Sequence, residues 1–278
     1  MQIIDGREIA KKILEELKSQ LGRLSFKPLF CDVLVGEDAV SASFVKIKAQ
    51  TAENLGIDFK LAKYPNNLTA SHLVEEIQKL NQVPHMSGLI VQLPLPESLP
   101  KDIILDAINP DIDVDCVGSV NSKNFYAGSS FFVPPTAGAI LYILDSLQVD
   151  LKNLKFLVIG QGELVGKPVT FLLKQRGYAV DTADKSTQNL AELLRSADVI
   201  ISAAGTAGLV RGSEIKIGAI VVDAGSSEQN GSITGDVDFM SVQNKASFIT
   251  PVPGGVGPVT VAMLLKNVVE AAKKLVNA

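Results

Sequence analysis

The stretch of sequence that decides the fold is Lys155-Phe-Leu-Val-Ile-Gly160-Gln-Gly162-Glu-Leu-Val-Gly166. An apolar run of strand length enters a loop with three glycines, and an amphipathic helix is predicted from about Val165. Glycines at such a turn permit a tight connection and let the backbone approach a pyrophosphate at the helix N-terminus. The spacing Gly-x-Gly-x-x-x-Gly is one residue longer than the usual dinucleotide fingerprint. A nucleotide-binding loop is therefore favoured over a plain strand-to-helix turn.

Outward from this loop, apolar runs of strand length alternate with amphipathic segments, a pattern typical of α/β proteins with parallel sheets. Helices are predicted over Gly6–Leu21, Ser41–Leu55, Leu68–Leu80 and Thr260–Val276, and from about Val165 and Leu190. Strands are predicted at Leu29–Val35, Asp58–Ala62, Gly88–Gln92, Lys155–Gly160, Ala179–Ala183, Val199–Ser202 and Ala219–Asp223. The polar segment Val117–Gly128 interrupts this rhythm and is predicted to be a hinge or linker.

Length and composition exclude several classes of protein. A chain of 278 residues exceeds the usual size of one hydrophobic core, so two domains are expected. The net charge of -4 and the absence of tryptophan argue against a nucleic-acid partner. The apolar runs are far shorter than the ~20 residues of a membrane span. The N-terminus lacks a signal-peptide pattern, and two cysteines are too few for a disulfide framework, so a cytoplasmic protein is predicted.

Candidate catalytic side chains occur in three segments of the first half of the chain. Phe44 and Lys48 are four residues apart on a predicted helix and share one face. Gln92 ends a predicted strand, at the sheet edge where α/β proteins bind ligands. Asp113 and Asp115 follow, where a carboxylate could face an interdomain cleft, although a turn rich in aspartate is an equally good interpretation. His72 and His85 are isolated, so no metal site is predicted.

The choice of nicotinamide cofactor stays open on the residues alone. Asp181 and Asp184 lie about 20 residues after the glycine loop, where an acidic side chain commonly binds the ribose hydroxyls of NAD. Lys185 is next to them and could instead contact a ribose phosphate. A solvated strand end is an alternative interpretation for all three.

A second glycine-rich loop, Ile249-Thr-Pro-Val-Pro-Gly-Gly-Val-Gly-Pro, precedes the C-terminal helix. Prolines such as Pro253 stiffen the backbone, and glycines such as Gly254 and Gly255 let main chain approach a ligand. A rigid connection without a ligand is the alternative.

Several strings occur together in the order typical of one family: Ser41-x-x-Phe-Val-x-x-Lys48, Gly88-Leu-Ile-Val-Gln-Leu-Pro-Leu-Pro96, Asp113-Val-Asp115, Gly235-Asp-Val-Asp-Phe239 and Pro251-Val-Pro-Gly-Gly-Val-Gly-Pro-Val-Thr260. The chain closely resembles bifunctional methylenetetrahydrofolate dehydrogenase/methenyltetrahydrofolate cyclohydrolase, the FolD type of one-carbon metabolism. The resemblance implies a homodimer whose subunits have a folate-binding catalytic domain, residues 1–118 with a returning C-terminal helix at 259–278. A Rossmann-like NAD(P)-binding domain, residues 119–258, is implied between them.

The resemblance also implies roles for individual residues. Lys48 handles protons in the hydrolysis, Gln92 forms a hydrogen bond to it, and Asp115 binds the pterin ring. Further folate contacts are implied for Phe44, Pro253, Gly254 and Gly255. Cofactor contacts are implied for Thr136, Gly160, Gln161, Gly162, Val165, Gly166, Asp184 and Lys185.

Several positions depart from the pattern of this family, among them a loop in which Pro134-Pro-Thr136-Ala-Gly-Ala139 stands where Pro-Cys-Thr-Pro-x-Gly is usual. Phe44 stands where tyrosine is usual, so a hydroxyl is lost while the ring is kept. Asp113 and Asp115 belong to Ile112-Asp-Val-Asp-Cys116 instead of the usual Lys-Asp-Val-Asp-Gly. Gln161 replaces the usual arginine of the phosphate loop, so NADP is expected but NAD is possible. The alternatives are a dehydrogenase with weak or lost cyclohydrolase activity and a non-catalytic folate- or nucleotide-binding paralogue.

Overall fold

A computed structural model describes residues 1–37, 39–229 and 232–276 of the chain. Within these residues the elements follow in the order β1 (Gln2–Ile3), α1 (Gly6–Leu21), β2 (Leu29–Val35), α2 (Ala39–Leu55), β3 (Asp58–Tyr64), α3 (Ala70–Asn81), β4 (Met86–Val91), α4 (Lys101–Asp106), α5 (Ser119–Tyr126), α6 (Pro135–Ser146), β5 (Lys155–Ile159), α7 (Gly166–Gln175), β6 (Ala179–Ala183), α8 (Leu190–Ser196), β7 (Val199–Ser202), β8 (Ile220–Asp223), β9 (Ser227–Gln229), β10 (Ser232–Thr234), α9 (Phe239–Val242), β11 (Phe248–Ile249) and α10 (Val256–Val276). The predicted α/β class is confirmed.

The chain divides into two compact units. One contains Met1–Lys11 and Thr136–Thr260, and the other contains Lys12–Pro135 and Val261–Ala278. The functional-domain limits given above stay a prediction, and the last two residues of the segment 259–278 lie outside the described part of the chain.

The first unit is built on a six-stranded sheet with the order β1-β11-β8-β7-β5-β6. Every neighbouring pair in it is parallel. Its central strands β5, β7 and β8 are almost entirely buried, which explains their continuous apolar sequences. Strand β5 lies between β6 and β7, so the chain changes direction there, and the loop after β5 lies at the switch point where such sheets bind ligands.

The second unit contains a three-stranded parallel sheet with the order β3-β2-β4. Its central strand β2 is buried from Phe30 to Val35 because helices cover it. Helix α10 packs on this sheet, since a Cβ atom on Gly88 would lie 2.7 Å from a methyl group of Val268. Asn267 also donates hydrogen bonds to the carbonyl oxygens of Val114 (2.8 Å) and Val133 (2.9 Å). The predicted return of the C-terminal helix is thereby confirmed.

The prediction that Val117–Gly128 is a linker is wrong. This segment contains helix α5, whose Asn121 and Phe125 are buried. The buried carboxylate of Asp113 accepts hydrogen bonds from the backbone N–H groups at the start of α5 and from Asn121. The polar side chain of Asn121 is buried because it donates hydrogen bonds to Pro110 and Asp113, so polar composition does not indicate exposure at this position.

Helix α10 begins at Val256, one turn before the predicted start at Thr260. Gly257 and Pro258 disfavour a helix when only local sequence is considered, yet proline is tolerated in the first helical turn, where its missing N–H has no intrahelical partner.

Among the described helices, none combines the length and apolar character needed to cross a membrane.

Candidate functional site

Lys48 lies at the centre of a cluster of polar side chains in the second unit. Helix α2 carries it one turn after Phe44, and the lysine side chain is only 9% exposed. Its ammonium donates a hydrogen bond of 2.7 Å to Oε1 of Gln92, which follows β4. The expected hydrogen bond between these two residues is therefore present. A strand end on the sheet and a covering helix together fix both polar groups.

Asp32 is a third member of this cluster, and it was not among the predicted site residues. Its Oδ2 atom lies 2.6 Å from Nζ of Lys48, and its side chain is completely buried. Neither of its carboxylate oxygens has a hydrogen bond of good geometry from a described residue, so the contact with Lys48 is an ion pair. The available signal was a single carboxylate within the otherwise apolar strand Leu29-Phe-Cys-Asp-Val-Leu-Val35. Burial raises the pKa of Asp32, and the charge and hydrogen bond of Lys48 oppose this shift.

The structure separates the two candidate carboxylates after β4. Asp113 is buried and accepts hydrogen bonds from the N–H groups of Val117 and Gly118, so it holds the turn before α5. Burial raises the pKa of Asp115 to about 6, while the charge of Lys48 acts against this shift. No hydrogen bond from a described residue is among the influences on the pKa of Asp115, so its carboxyl is available for a ligand.

Phe44 is partly buried on the same face of α2 as Lys48. Its ring has no hydroxyl, so it cannot form a hydrogen bond with Lys48. The Lys48 ammonium contacts Gln92 and Asp32. Gln92 also donates from Nε2 to the carbonyl oxygen of Leu93, which fixes the orientation of its amide. Oε1 is thereby directed at Lys48, and the cluster is ordered by its own hydrogen bonds.

The glycine loop of the first unit joins β5 to α7. Gly160 has a φ of 85°, and a Cβ atom on Gly166 would overlap the carbonyl oxygen of Gly160. These two glycines are required by the close approach of the helix start to the strand end. Gly162 differs, because nothing lies within 4 Å of the position a Cβ atom would take. Val165 is the N-cap residue of α7, and it makes no side-chain capping bond.

We expect Gly166→Ala to lower the free energy of unfolding by about 3 kcal/mol, because the added methyl group forces the helix away from β5. Denaturant unfolding measures this change. Gly162→Ala is the matched control, and it should leave stability within about 0.5 kcal/mol. If a nucleotide approaches this loop, the control variant should still show a raised KM for the cofactor. Equal destabilisation by both changes would contradict the prediction.

Gln161 is directed at its own loop. Its Nε2 donates to the carbonyl oxygens of Val158 (3.3 Å) and Gly160 (3.2 Å), and its Oε1 accepts from Thr170 (3.4 Å). Gln161, which stands where arginine is usual, therefore stabilises the loop by hydrogen bonds and adds no positive charge to it.

The segment after β6 contains the candidate ribose-binding residues. The Asp184 carboxylate accepts hydrogen bonds from the N–H and the hydroxyl of Ser186 and from the hydroxyl of Thr187. These bonds, the Ser186 hydroxyl first, lower the pKa of Asp184. Lys185 and Asp181 are exposed. One negative and one positive side chain thus stand next to each other at the carboxyl end of β6.

Two buried carboxylates that were not among the predicted site residues order the neighbouring loops. Asp236 accepts hydrogen bonds from the Ser202 hydroxyl (2.8 Å) and from the N–H groups of Ala204 and Thr206 (both 2.7 Å). Asp223 accepts from the N–H groups of Gly225, Asp236 and Val237. Burial raises the pKa of Asp223 to about 6. The loops after β7 and β8 are therefore held at the carboxyl edge of the sheet by internal hydrogen bonds.

The second glycine-rich loop is also part of the first unit. Gly254 has a φ of 109°, and its carbonyl oxygen accepts a 2.9 Å hydrogen bond from the N–H of Gly6. A Cβ atom on Gly255 would lie 2.6 Å from the carbonyl oxygen of Pro251. The fold itself therefore requires these glycines, beside any ligand contact of Pro253.

Thr136 lies in the first turn of α6 and is partly exposed.

No group of three metal-ligating side chains is found among the described residues. The arrangement has instead two separate chemical characters. One unit holds an ammonium with carboxylate and amide partners, which suits proton transfer. The other holds a glycine loop at a switch point, which suits a dinucleotide.

The family model for the tetrahydrofolate dehydrogenase/cyclohydrolase catalytic domain matches residues 4–115. The model for the NAD(P)-binding domain of the same family matches residues 134–276. This chain belongs to the tetrahydrofolate dehydrogenase/cyclohydrolase family. A relative from Caldanaerobacter subterraneus subsp. tengcongensis, named bifunctional protein FolD, is 40% identical over 276 residues, which are 99% of this chain and 98% of the relative.

Solved structures of this tetrahydrofolate dehydrogenase/cyclohydrolase family share the fold along the whole chain. The FolD enzyme of Campylobacter jejuni is 38% identical, with a TM-score of 0.94 and 99% of each chain covered. The FolD enzyme of Trypanosoma brucei, solved with NADP cofactor and an inhibitor, is 35% identical with a TM-score of 0.95, and the match covers 100% of this chain and 99% of that one. The resemblance inferred from the motifs is thus confirmed.

Proposed function

We propose that this chain oxidises methylenetetrahydrofolate to methenyltetrahydrofolate with a nicotinamide cofactor and hydrolyses the methenyl form to formyltetrahydrofolate. The observation that carries the proposal is the ordered pair of Lys48 and Gln92, with 2.7 Å between Nζ and Oε1. Membership of the family supports both reactions. An ordered ammonium with little exposure is suited to the proton transfers of the hydrolysis.

Folate binding is assigned to side chains near Lys48. The Asp115 carboxylate, with no competing hydrogen bond from the described residues, can accept two N–H donors of a pterin ring. The Phe44 ring supplies a flat apolar surface for stacking. Pro253, Gly254 and Gly255 are assigned to the folate on the family pattern alone. The oxidation needs mainly positioning, because the lone pair of a folate nitrogen drives the departure of the hydride.

NADP is the proposed cofactor, and when bound it supplies the hydride acceptor. The residues fit a dinucleotide, because Gly162 leaves open space at the N-terminal end of α7 and the loop lies at the switch point. Gly160, Val165 and Gly166 shape this loop, and Gln161 braces it. Lys185 is assigned to the 2′-phosphate, and Asp184 and Thr136 to further cofactor contacts.

We expect Asp184→Ser to raise the ratio of kcat/KM for NADP to that for NAD by about two- to fivefold, because a negative charge beside the 2′-phosphate is removed at an exposed site. Steady-state kinetics with both cofactors measure the ratio, and added salt should reduce the gain. Asp150→Ser is the control, since this exposed carboxylate precedes β5 at the opposite end of the strand. An unchanged ratio in Asp184→Ser would exclude a cofactor contact at this position.

Further assignments follow from the family alone. We propose a homodimer in the cytoplasm, with residues 1–118 and 259–278 as the folate domain and residues 119–258 as the cofactor domain. No nucleic-acid or membrane partner is proposed, in line with the net charge of -4.

An absorbance assay with purified protein and methylenetetrahydrofolate tests the proposal. Reduced cofactor and the methenyl intermediate are followed separately with NADP and with NAD. The proposal requires cofactor reduction and methenyl decay faster than in buffer. Cofactor reduction with uncatalysed decay would leave only the dehydrogenase, and tight folate binding without any turnover would identify a binding paralogue.

A further inference from the structure

Asp32 occupies a position where the fold requires only an apolar side chain. It lies in the middle of β2, paired with Leu61 of β3 and Ile90 of β4. Its side chain has no exposed area, and its neighbours Cys31 and Val33 are fully buried core residues. A charge taken out of water at such a place is costly, and replacement of a buried ion pair by apolar residues is often neutral or stabilising. Stability therefore gives no reason for this carboxylate.

The contacts of Asp32 lead to the candidate site. Oδ2 forms an ion pair with Lys48, 2.6 Å from Nζ, and neither carboxylate oxygen of Asp32 has a hydrogen bond of good geometry among the described residues. The Lys48 ammonium donates a hydrogen bond to Gln92. An ammonium has three N–H donors, so a donor remains for a reacting molecule. Asp32 and Gln92 together thus fix the direction in which Lys48 can give or take a proton.

We propose that Asp32 is a positioning residue of the hydrolysis, which orients Lys48 and takes up, through it, the proton that the attacking water loses. This inference rests on the cyclohydrolase function proposed above. It adds one residue to the set that the family pattern assigns.

The proton balance of this step is complete. Lys48 passes one proton to Asp32 and accepts one from water, as the water oxygen bonds to the methenyl carbon. The O–H bond of water breaks, the C–O bond forms, and the electron pair of the C=N⁺ bond returns to nitrogen, which gives a neutral carbinol. The bond from this carbon to one folate nitrogen then breaks as that nitrogen takes up a proton and the carbinol hydroxyl loses one, so the formyl C=O group forms with no further change in the proton count. Hydrolysis of a methenyl cation to a neutral formyl product releases one proton, so the proton held by Asp32 leaves to solvent at the end of the cycle.

Burial supports this role, because it raises the pKa of Asp32 and so allows the carboxyl to hold a proton for a time. The titratable groups that interact with Asp32 lie on three segments. Lys48 faces it from α2, and the charge of Asp32 raises the pKa values of Asp115, after β4, and of Cys31, its neighbour on β2. Lys48 is the one of these that contacts it directly.

The test compares Asp32→Asn with the unchanged protein in both reactions. We expect the kcat of methenyl hydrolysis to fall at least about a hundredfold, the range typical of lost acid–base assistance. The KM for the methenyl substrate and the kcat/KM of the oxidation should stay within twofold. Ser87→Ala is the matched control, since it removes a buried hydroxyl from β4 of the same sheet and should leave the ratio of the two activities unchanged.

Nuclear magnetic resonance of the lysine side-chain carbons adds a readout independent of turnover. The Lys48 signal is assigned by its loss in Lys48→Met. Its chemical shift at constant pH should change in Asp32→Asn, because the carboxylate that lies 2.6 Å from Nζ loses its negative charge. Asp32→Val serves the same comparison if the amide variant fails to fold.

Equal losses in both reactions, or an unchanged Lys48 signal, would overturn the inference and leave Asp32 a structural residue. The proposed function fails in a different way, namely when the unchanged protein reduces no cofactor and hydrolyses no methenyl folate. In that case the role of Asp32 in hydrolysis falls with it.

Discussion

Lys48→Met is expected to slow methenyl hydrolysis at least about a thousandfold and to leave the cofactor-dependent oxidation within about threefold of its original rate. Methionine has an unbranched apolar side chain only one atom shorter than that of lysine, so it fills a similar space on α2. It cannot carry a proton, and Gln92 loses the donor that now lies 2.7 Å from its Oε1. The oxidation depends on positioning of the two reactants and does not use this proton.

The rates are measured separately, with methylenetetrahydrofolate for oxidation and isolated methenyltetrahydrofolate for hydrolysis. Lys46→Met is the control, because Lys46 is exposed on the same helix. A Lys48→Met protein that retains a tenth or more of its hydrolysis would refute the assignment of proton transfer to this residue.

The same substitution also changes the pH dependence of stability. Without Lys48, the influences that oppose the raised pKa of Asp32 are gone, so burial alone acts on it. A carboxyl with a raised folded-state pKa binds its proton more tightly in the folded than in the unfolded protein. Relative to the unchanged protein, the variant should therefore lose stability as the pH rises above about 4, the pKa of an unfolded aspartate. Melting temperatures across this range measure the effect.

Asp236→Ala should lower the free energy of unfolding by about 4 kcal/mol, because each buried donor left unsatisfied costs about 1–3 kcal/mol. The carboxylate has no exposed area and accepts hydrogen bonds from Ser202, Ala204 and Thr206. Loss of these bonds releases the loop after β7, at the carboxyl edge where the cofactor is proposed to bind. The affinity for NADP should therefore fall as well.

Denaturant unfolding of the whole protein measures this loss. Asp238→Ala provides the comparison, since Asp238 caps the four-residue helix α9 through one bond of 3.3 Å to the N–H of Ser241. Removal of such a cap costs about 1 kcal/mol. A loss of the same size in both variants would contradict the role given to Asp236.

Periodicity and family motifs predict most of the fold and part of the site. Strand β2 and helix α1 are predicted with the right limits because each has one dominant pattern of apolar residues. The pairing of Lys48 with Gln92 comes from the family motif, since these residues are far apart in the sequence. The local pattern of apolar and polar residues alone cannot predict this contact.

The missed features depend on tertiary contacts. A single aspartate in an apolar strand has no periodicity, so the ion pair of Asp32 cannot be read from the sequence. The role of Asp236 requires loops from distant parts of the chain to meet at one carboxylate. In helix α5, the polar residue Asn121 is buried because it donates hydrogen bonds to carbonyl and carboxylate oxygens of Pro110 and Asp113. Local composition predicts which side chains face water. The burial of these polar side chains depends instead on hydrogen-bond and ion-pair partners that are distant in the sequence.

Each end of the chain packs against a sheet whose other strands are distant in the sequence. Gln2 and Ile3 pair with Phe248 and Ile249, and helix α10 covers the three-stranded sheet of residues 29–91. A nascent chain on the ribosome therefore cannot finish either unit until nearly all of its residues have been synthesised. Residues 4–115, expressed alone, would emerge with one face of their core uncovered and should depend on chaperones or aggregate.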